Sequence, residues 1–297
     1  MTAASAGAEH LRAASRGCPS RRRTRLERTS RRRTRLERTS RRRTRLGRRR
    51  SAVTVVLGVV GAVLLGACGT SSPPGAPAAS LGIVQRRPVP SSLRLVTADG
   101  APFSFRQLRG TVVVLAPFTT AGQATTPLLA ANLLAAERAL DAAGLAKRVR
   151  FVEYSVDPAL DTPARLSAYA ARAGIGWTLL TGSLAQVAAV NRFFYVYAGS
   201  AAAPAGAIPD WQTGRVPTTV VTHSAGYFLL GAGGDERFAT SASPASAPST
   251  VPRRLRSMLG VDGLQELNDP SVVGPTWTVR DLLDGIGWLL RRPVPNG

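Results

Sequence analysis

Short apolar runs alternate with segments of helical periodicity from about residue 93 to the end of the chain. TVVVLAPF at 111–118 is a continuous apolar run of the kind found in strands buried on both faces, and VRFVEYSV at 149–156 and WTLLT at 177–181 predict two further strands. The segments that follow them space leucine, valine and alanine three and four residues apart, as amphipathic helices do. Strands and helices therefore alternate, which predicts an α/β fold with parallel neighbouring strands.

Each predicted helix begins at a hydroxyl residue that is suited to capping. A hydroxyl at the N-cap accepts a hydrogen bond from the first turn, and a following proline or a capping-box partner strengthens the signal. The predicted starts are Thr126–Pro127, Thr162–Pro163, Ser183 and Thr278 with Asp281.

The remaining segments give weaker predictions. Residues 93–105 predict a hairpin that turns at Asp99 and Gly100, and residues 217–230 predict one long strand or two strands broken near Ser224. TSASPASAPST at 240–250 predicts a flexible surface insertion by its composition, and residues 251–275 remain unassigned.

The positive charge of the chain is concentrated at its start. The formal net charge is +22, and residues 1–50 hold 19 of the 39 Arg and Lys and 3 of the 17 acids, which leaves +6 for the rest. The repeat RRRTRLERTS supplies one leucine per ten residues, too few for a packed core. An arginine-rich arm for nucleic acid and a low-complexity segment both fit residues 1–50; the mildly basic remainder predicts no nucleic-acid partner.

Residues 51–68 have the organisation of an export signal. SAVTVVLGVVGAVLLGAC has no charged residue, follows a cluster of arginines and ends in the lipobox-like LGAC, which predicts lipidation at Cys68. An uncleaved membrane anchor is the alternative. Both interpretations place the following residues at the extracytoplasmic face of the cell membrane, after a Pro/Ser/Gly-rich tether at 69–92.

The ordered motifs of the domain resemble the SCO (SenC-type) family. They are GAPFSFRQLRGTVVVL at 100–115, SVDPALDTPARLSAYA at 155–170, WTLLTG at 177–182 and THSAGYFLL at 222–230. The resemblance implies a thioredoxin-like fold over residues 93–292, with a central mixed β-sheet flanked by helices and a β-hairpin insertion. It also implies a membrane-tethered copper protein that assists assembly of the cytochrome oxidase copper centre.

The same resemblance identifies a copper loop that has lost its sulfurs. The family pattern T-x-C-x-x-x-C-P, laid on residues 120–127, puts its two cysteines at Gly122 and Thr126, and the distant histidine ligand falls on His223. The two cysteines of the chain are Cys18 and Cys68, so no thiolate is available in the domain for copper or for thiol–disulfide exchange.

These features predict a lipid-anchored SCO-like protein without catalytic activity and without a copper cofactor, whose partner belongs to respiratory oxidase assembly. The alternative is a metallochaperone that holds copper through His223 and unidentified ligands. Asp157 and Asp161 are assigned to capping the turn and helix at Thr162, and a catalytic carboxylate pair is the alternative. Two aromatic segments, 193–200 and 208–211, are candidate partner contacts or core residues.

Overall fold

The computed structural model describes residues 74–296. The predictions for residues 1–50, for the signal sequence with Cys68 and for the first part of the tether lie outside the described residues. None of the helices in the described part is long and apolar enough to cross a membrane.

Twelve strands and six α-helices are described in residues 74–296. The strands are β1 Ile83–Pro88, β2 Arg94–Thr97, β3 Pro102–Ser104, β4 Val112–Phe118, β5 Val149–Ser155, β6 Thr178–Thr181, β7 Ala198–Ala202, β8 Thr219–His223, β9 Phe228–Leu230, β10 Asp235–Ala239, β11 Ser243–Pro244 and β12 Thr276–Trp277. The helices are α1 Thr125–Ala142, α2 Pro163–Ala173, α3 Leu184–Phe194, α4 Arg253–Arg256, α5 Val261–Asn268 and α6 Val279–Leu290.

A central eight-stranded sheet in the order β1-β10-β9-β4-β5-β6-β2-β3 organises the domain. Strands β4, β5 and β6 are parallel, whereas β9 joins β4 and β2 joins β6 in antiparallel pairs. The sheet is therefore mixed, and the predicted α/β class is confirmed. The predicted β-hairpin insertion is also present, because β7 and β8 pair antiparallel in a sheet of their own.

Strand β4 shows why its sequence is apolar throughout. All seven of its residues are buried. Val112, Val114 and Phe118 point into the core cluster that α1, α2 and α6 cover, whereas Val113 and Leu115 point into the cluster that α3 covers. Successive side chains of a strand point to opposite faces, so a strand with helices on both sides has no polar face.

Two predictions about loops are wrong. Residues 83–88 of the predicted tether form β1, which pairs with β10 at the edge of the sheet. The predicted surface insertion at 240–250 is wrong for its first part, where residues 242–244 and 246 are buried, β11 pairs with β12, and Asn132 on α1 bonds to Ala245 and Ser246; residues 247–250 are exposed. Small Ser and Ala side chains let this segment approach α1 closely, and the same residue types are common in loops.

Candidate functional site

The loop at residues 119–124 lies at the carboxyl end of β4, in the middle of the sheet. Side chains at the carboxyl ends of parallel strands meet at one edge, which is where α/β proteins place their ligand sites. The predicted order of strand, loop and helix is therefore correct, and the loop occupies the favoured position for chemistry.

Thr126 lies inside the first turn of α1 rather than at its N-cap. The helix begins at Thr125, its N-cap is Ala124, and no side chain caps it. The predicted capping role of Thr126 is thus wrong, because Pro127 is tolerated anywhere in a first turn and so does not fix the boundary. Thr126 is 1% exposed, and its Oγ1 has no hydrogen-bond partner among the described residues.

Gly122 and Thr126 face each other across the loop. A Cβ atom built on Gly122 would contact the Thr126 hydroxyl and lie 2.8 Å from the Thr126 Cβ. Two cysteines in a disulfide hold their Cβ atoms about 3.5–4.5 Å apart. A pair of side chains at these positions would therefore meet directly, after a loop shift of roughly one ångström.

His223 ends β8 and presents one ring nitrogen for bonding. Its Nδ1 lies 2.8 Å from the carbonyl oxygen of Ser224. A carbonyl only accepts, so Nδ1 carries the proton and Nε2 keeps its lone pair. Burial lowers the pKa of His223, although the Ser224 carbonyl opposes this, so the ring is neutral at pH 7.

The three positions taken from the copper motif share one cavity. This cavity has a volume of about 330 Å³ and lies between the loop, the β7–β8 hairpin and the start of α5. Gly122, Thr126 and His223 all line it. Met258 instead lines a smaller hollow beside Gly122 and Trp211, so it does not share the cavity with His223.

The buried carboxylate of Asp161 holds the loop through hydrogen bonds from Thr120. Asp161 accepts hydrogen bonds from the Thr120 backbone N–H (3.1 Å), from the Thr120 hydroxyl (2.5 Å) and from the Ser155 hydroxyl (2.5 Å). Burial raises the pKa of Asp161, and these hydrogen bonds oppose the rise. The capping role assigned to Asp161 is wrong; Thr162 caps α2 by accepting from the Arg165 backbone N–H.

Arg165 extends this cluster to the segment before β8. Its Nε donates to the Thr120 hydroxyl (2.6 Å), its guanidinium pairs with Asp210, and it lies 4.9 Å from the Trp211 ring. Burial acts to raise the pKa of Asp210, but the hydrogen bond from Arg165 and those around Thr213 lower it to about 2. We call Thr120, Ser155, Asp161, Arg165 and Asp210 the polar cluster.

The sequence prediction missed Arg165 because its partners are remote in the chain. Asp210 lies 45 residues away. The only indication in the sequence was an arginine on the otherwise apolar face of the helix that begins at Pro163. Trp211, a candidate partner contact, donates from its Nε1 to the Thr120 carbonyl (2.8 Å) and so supports the loop from within.

The family model described as SCO1/SenC matches residues 84–260. The chain belongs to the SCO1/SenC family. The match begins within β1, nine residues before the predicted start of the domain, and the predicted family and thioredoxin-like fold class are confirmed.

Solved structures similar to this SCO1/SenC chain include three with low identity. Bradyrhizobium japonicum ScoI with copper bound is 21% identical, with 60% of this chain and 99% of that chain covered and a TM-score of 0.43. A SCO1/SenC family lipoprotein from Bacillus anthracis is 23% identical, with 60% and 93% covered and a TM-score of 0.40. Yeast Sco1 with copper bound is 20% identical, with 54% and 79% covered and a TM-score of 0.41. No curated protein matches the chain.

The donors of this SCO1/SenC cavity do not fit Cu(I). Copper(I) prefers thiolate and thioether sulfur, whereas Gly122 offers no donor and Thr126 offers a neutral hydroxyl. Among the three motif positions, only His223 supplies a suitable ligand atom, its Nε2. Within residues 74–296 no group of three or more His, Cys, Asp or Glu side chains is placed to hold a metal ion.

Proposed function

We propose that this SCO1/SenC protein is a non-catalytic binding protein of cytochrome oxidase assembly, which acts through a protein partner rather than by carrying copper. The observation that supports this most directly is that positions 122 and 126 face each other across the loop, and that neither residue carries a sulfur atom. The loop, the polar cluster and the β7–β8 hairpin surround these two positions.

The absence of a reactive group on the loop supports a non-enzymatic role. Thiol–disulfide exchange needs a thiolate, and the two cysteines of the chain, Cys18 and Cys68, precede the domain. The motif at residues 120–127 holds no thiol for the neutral His223 to activate, and its Thr120 and Thr126 hydroxyls are buried. Binding is the remaining activity that the site supports.

We further propose that the protein is lipid-anchored at Cys68 and faces outward from the cell membrane. The support is the order of basic segment, apolar segment and LGAC in residues 1–68. The apolar segment contains no charged residue, as the central region of such a signal requires. Membrane attachment would hold the domain close to membrane-embedded oxidase subunits.

Exposed aromatics beside the hairpin supply a surface for a partner. Tyr195 is 82% exposed and Tyr197 is 65% exposed, whereas Phe194 is buried in the core. Tyr195 adopts a left-handed φ of 55° at the end of α3, which turns its ring outward next to Arg87. Exposed tyrosines and arginines are typical anchors of protein interfaces.

A copper-binding metallochaperone is the second candidate. The observation that favours it is the Nε2 lone pair of His223, which the bond from Nδ1 to Ser224 fixes in the metal-ligating tautomer. Further ligands would have to come from outside the described residues or from a partner.

A Cu(I) competition titration of the full-length chain tests the proposal. We expect no binding tighter than micromolar for the wild type. The Gly122→Cys, Thr126→Cys variant should bind Cu(I), because it supplies two thiolates opposite each other, and adding His223→Ala should weaken that binding. Tight wild-type binding that His223→Ala abolishes would overturn the proposal in favour of the metallochaperone.

The partner is sought in a second experiment by cross-linking the wild type in oxidase-containing membranes. The Tyr195→Asn, Tyr197→Ser variant should lose the cross-link to an oxidase assembly component, since asparagine tolerates the left-handed backbone at 195. An unchanged cross-link would exclude this surface, and no cross-link from either protein would exclude the assembly role.

A further inference from the structure

We propose that the surface around the end of α6 docks on the anionic headgroups of the membrane that holds the protein. This surface comprises Arg86, Arg237, Trp288, Arg291 and Arg292, and we call it the basic face. The inference rests on the proposed anchor at Cys68 and goes beyond it, because an anchor alone gives the domain no orientation on the membrane.

The first described residues of the chain lie on α6 before they enter β1. The Pro74 ring lies 3.3 Å from a Cβ atom built on Gly287, and the Pro77 ring lies 3.5 Å from one built on Gly285. The two glycines thus leave room for the two rings against the bare helix backbone. Leu81 then packs against the core. These contacts hold the start of the domain along α6.

This path limits where the membrane can lie. Cys68 precedes Pro74 by six residues, and six residues span at most about 22 Å when they are fully extended. A domain of this length is roughly 40 Å across. An anchor at Cys68 therefore reaches the surface around Gly287, but not the opposite side of the sheet, which α3 covers.

The chain enters the domain beside the arginines that follow α6. The Arg292 carbonyl oxygen lies 2.8 Å from the same built Cβ atom on Gly287 that the Pro74 ring approaches. Arg292 and Pro74 are therefore neighbours. Arg291 and Arg292 are both exposed, and no acidic residue follows them in the sequence. Cations at this point are well placed to meet the headgroups that surround the anchor.

A tryptophan and two further arginines extend the basic face to the edge of the sheet. The guanidinium of Arg237 on β10 lies 5.0 Å from the centre of the Trp288 ring, and Trp288 is partly exposed. The Asp235 carboxylate lies between Arg86 (3.1 Å) and Arg237 (3.7 Å). Tryptophan is enriched at the headgroup level of membranes, and arginines are attracted to anionic lipids.

The acidic residues near the basic face leave it positive. Asp235 offsets one of the four arginines. On α6, Asp284 pairs with Arg280, and Asp281 accepts hydrogen bonds from Thr278 at the start of the helix. Asp281 lies ten residues before Arg291, about 15 Å along the helix. Positive charge is therefore concentrated at the end of α6, where the chain enters.

Quenching of a fluorophore by spin-labelled lipid headgroups tests the orientation. The full-length chain with Cys18→Ser and Asn296→Cys is labelled at position 296, four residues after Arg292, and placed in phosphatidylcholine vesicles with or without phosphatidylglycerol. We expect stronger quenching with phosphatidylglycerol, and loss of the difference in 1 M salt, which screens charges beyond about 3 Å. A label at Arg192→Cys, exposed on α3 across the sheet, should be quenched little in both.

Charge removal sharpens the test. Arg291→Asn with Arg292→Gln should lower the ratio of docked to undocked protein about 30-fold, because each arginine near an anionic surface contributes about fivefold. Asparagine tolerates the left-handed φ of 52° at position 291. Arg192→Gln removes an exposed arginine from the last turn of α3 and should leave the quenching at position 296 unchanged.

Flotation of the labelled chain with neutral vesicles reports the anchor separately. Equal quenching at position 296 in neutral and anionic vesicles, from a chain that floats, would overturn the docking and leave the anchor in place. Equal quenching at positions 296 and 192 in anionic vesicles would also overturn it, since the domain would then have no preferred face. A chain that does not float would overturn the anchor and the docking together.

Discussion

The loop at residues 119–126 has a lower side, which contacts the polar cluster, and an upper side, which borders the cavity. Different interactions hold the two sides. Below the loop, Thr120, Asp161 and Arg165 form a closed set of buried hydrogen bonds and an ion pair. Above it, Gly122 and Thr126 border a cavity of small apolar residues, and the Thr126 hydroxyl lacks a partner among the described residues. The lower side holds the loop through a buried ion pair, whereas the upper side holds it through neutral hydrogen bonds between Gln123 and both Ile208 and Gly260.

This difference sets the cost of changing each side. Removing one partner from a buried ion pair leaves an uncompensated charge at a cost of about 3–5 kcal/mol, comparable to the whole stability of many domains. The hydrogen bonds on the upper side are neutral, and each contributes about 0.5–1.5 kcal/mol. The stability of the loop therefore accounts for the polar cluster, which is not evidence of a copper site.

The largest expected effect comes from breaking the lower side. Asp161→Ala should destabilise the domain by about 3–5 kcal/mol, because Thr120 and Ser155 lose their buried acceptor and Arg165 loses one of its two carboxylate partners. Denaturant unfolding of the full-length chain measures this. Asp157→Ala is the matched control at the same turn: its carboxylate is half-buried, accepts a weak bond from Leu160 at 3.4 Å and should cost under about 1 kcal/mol. Equal losses for the two variants would contradict the comparison.

A second buried carboxylate, Glu153, has no cationic partner among the described residues, and its pKa is raised. Glu153 on β5 is fully buried, accepts one bond from the Trp177 Nε1 (2.6 Å) and leaves Oε1 without a partner among the described residues. Burial raises its pKa from 4.5 to about 7, and the Trp177 bond only partly opposes this. The folded state therefore keeps a proton that the unfolded state releases above about pH 4.5.

Stability should consequently fall as the pH rises from about 4.5 to 7. The pKa difference corresponds to about 3 kcal/mol, so Glu153→Gln should be more stable than the wild type by up to that amount at pH 8 and nearly equal at pH 4. Unfolding at both pH values measures it. Some slope should remain in the variant, because burial also raises the pKa of Glu266 to about 7. An unchanged pH profile would show that Glu153 reaches solvent or an unrecognised cation.

Local signals predicted much of the fold. Strand β4 follows from its apolar run, β5 and β6 follow from short segments rich in apolar residues, and Thr162, Ser183 and Thr278 cap α2, α3 and α6 as expected. These predictions depend on residues within one turn or one strand of each other. Interactions between residues close in sequence were therefore sufficient to predict these strands and helix caps.

The failures depend on contacts between distant segments. Strand β1 exists because β10 pairs with it, and residues 242–246 are mostly buried because α1 lies against them. Asp161 serves Thr120, 41 residues earlier, instead of its own helix. The motif located positions 122, 126 and 223, but only the fold shows that they border one cavity with the start of α5.

The smallest expected effect concerns the upper side. Thr126→Val replaces an unpartnered buried hydroxyl with a methyl group of similar shape, so it should stabilise the ligand-free domain by about 1 kcal/mol. Thr125→Val, at a half-buried neighbour in the same turn, should change stability by less than that. Thermal unfolding of the two variants beside the wild type measures both. A destabilised Thr126→Val would mean that the hydroxyl serves the fold and that the upper side is held by more than the hydrogen bonds of Gln123.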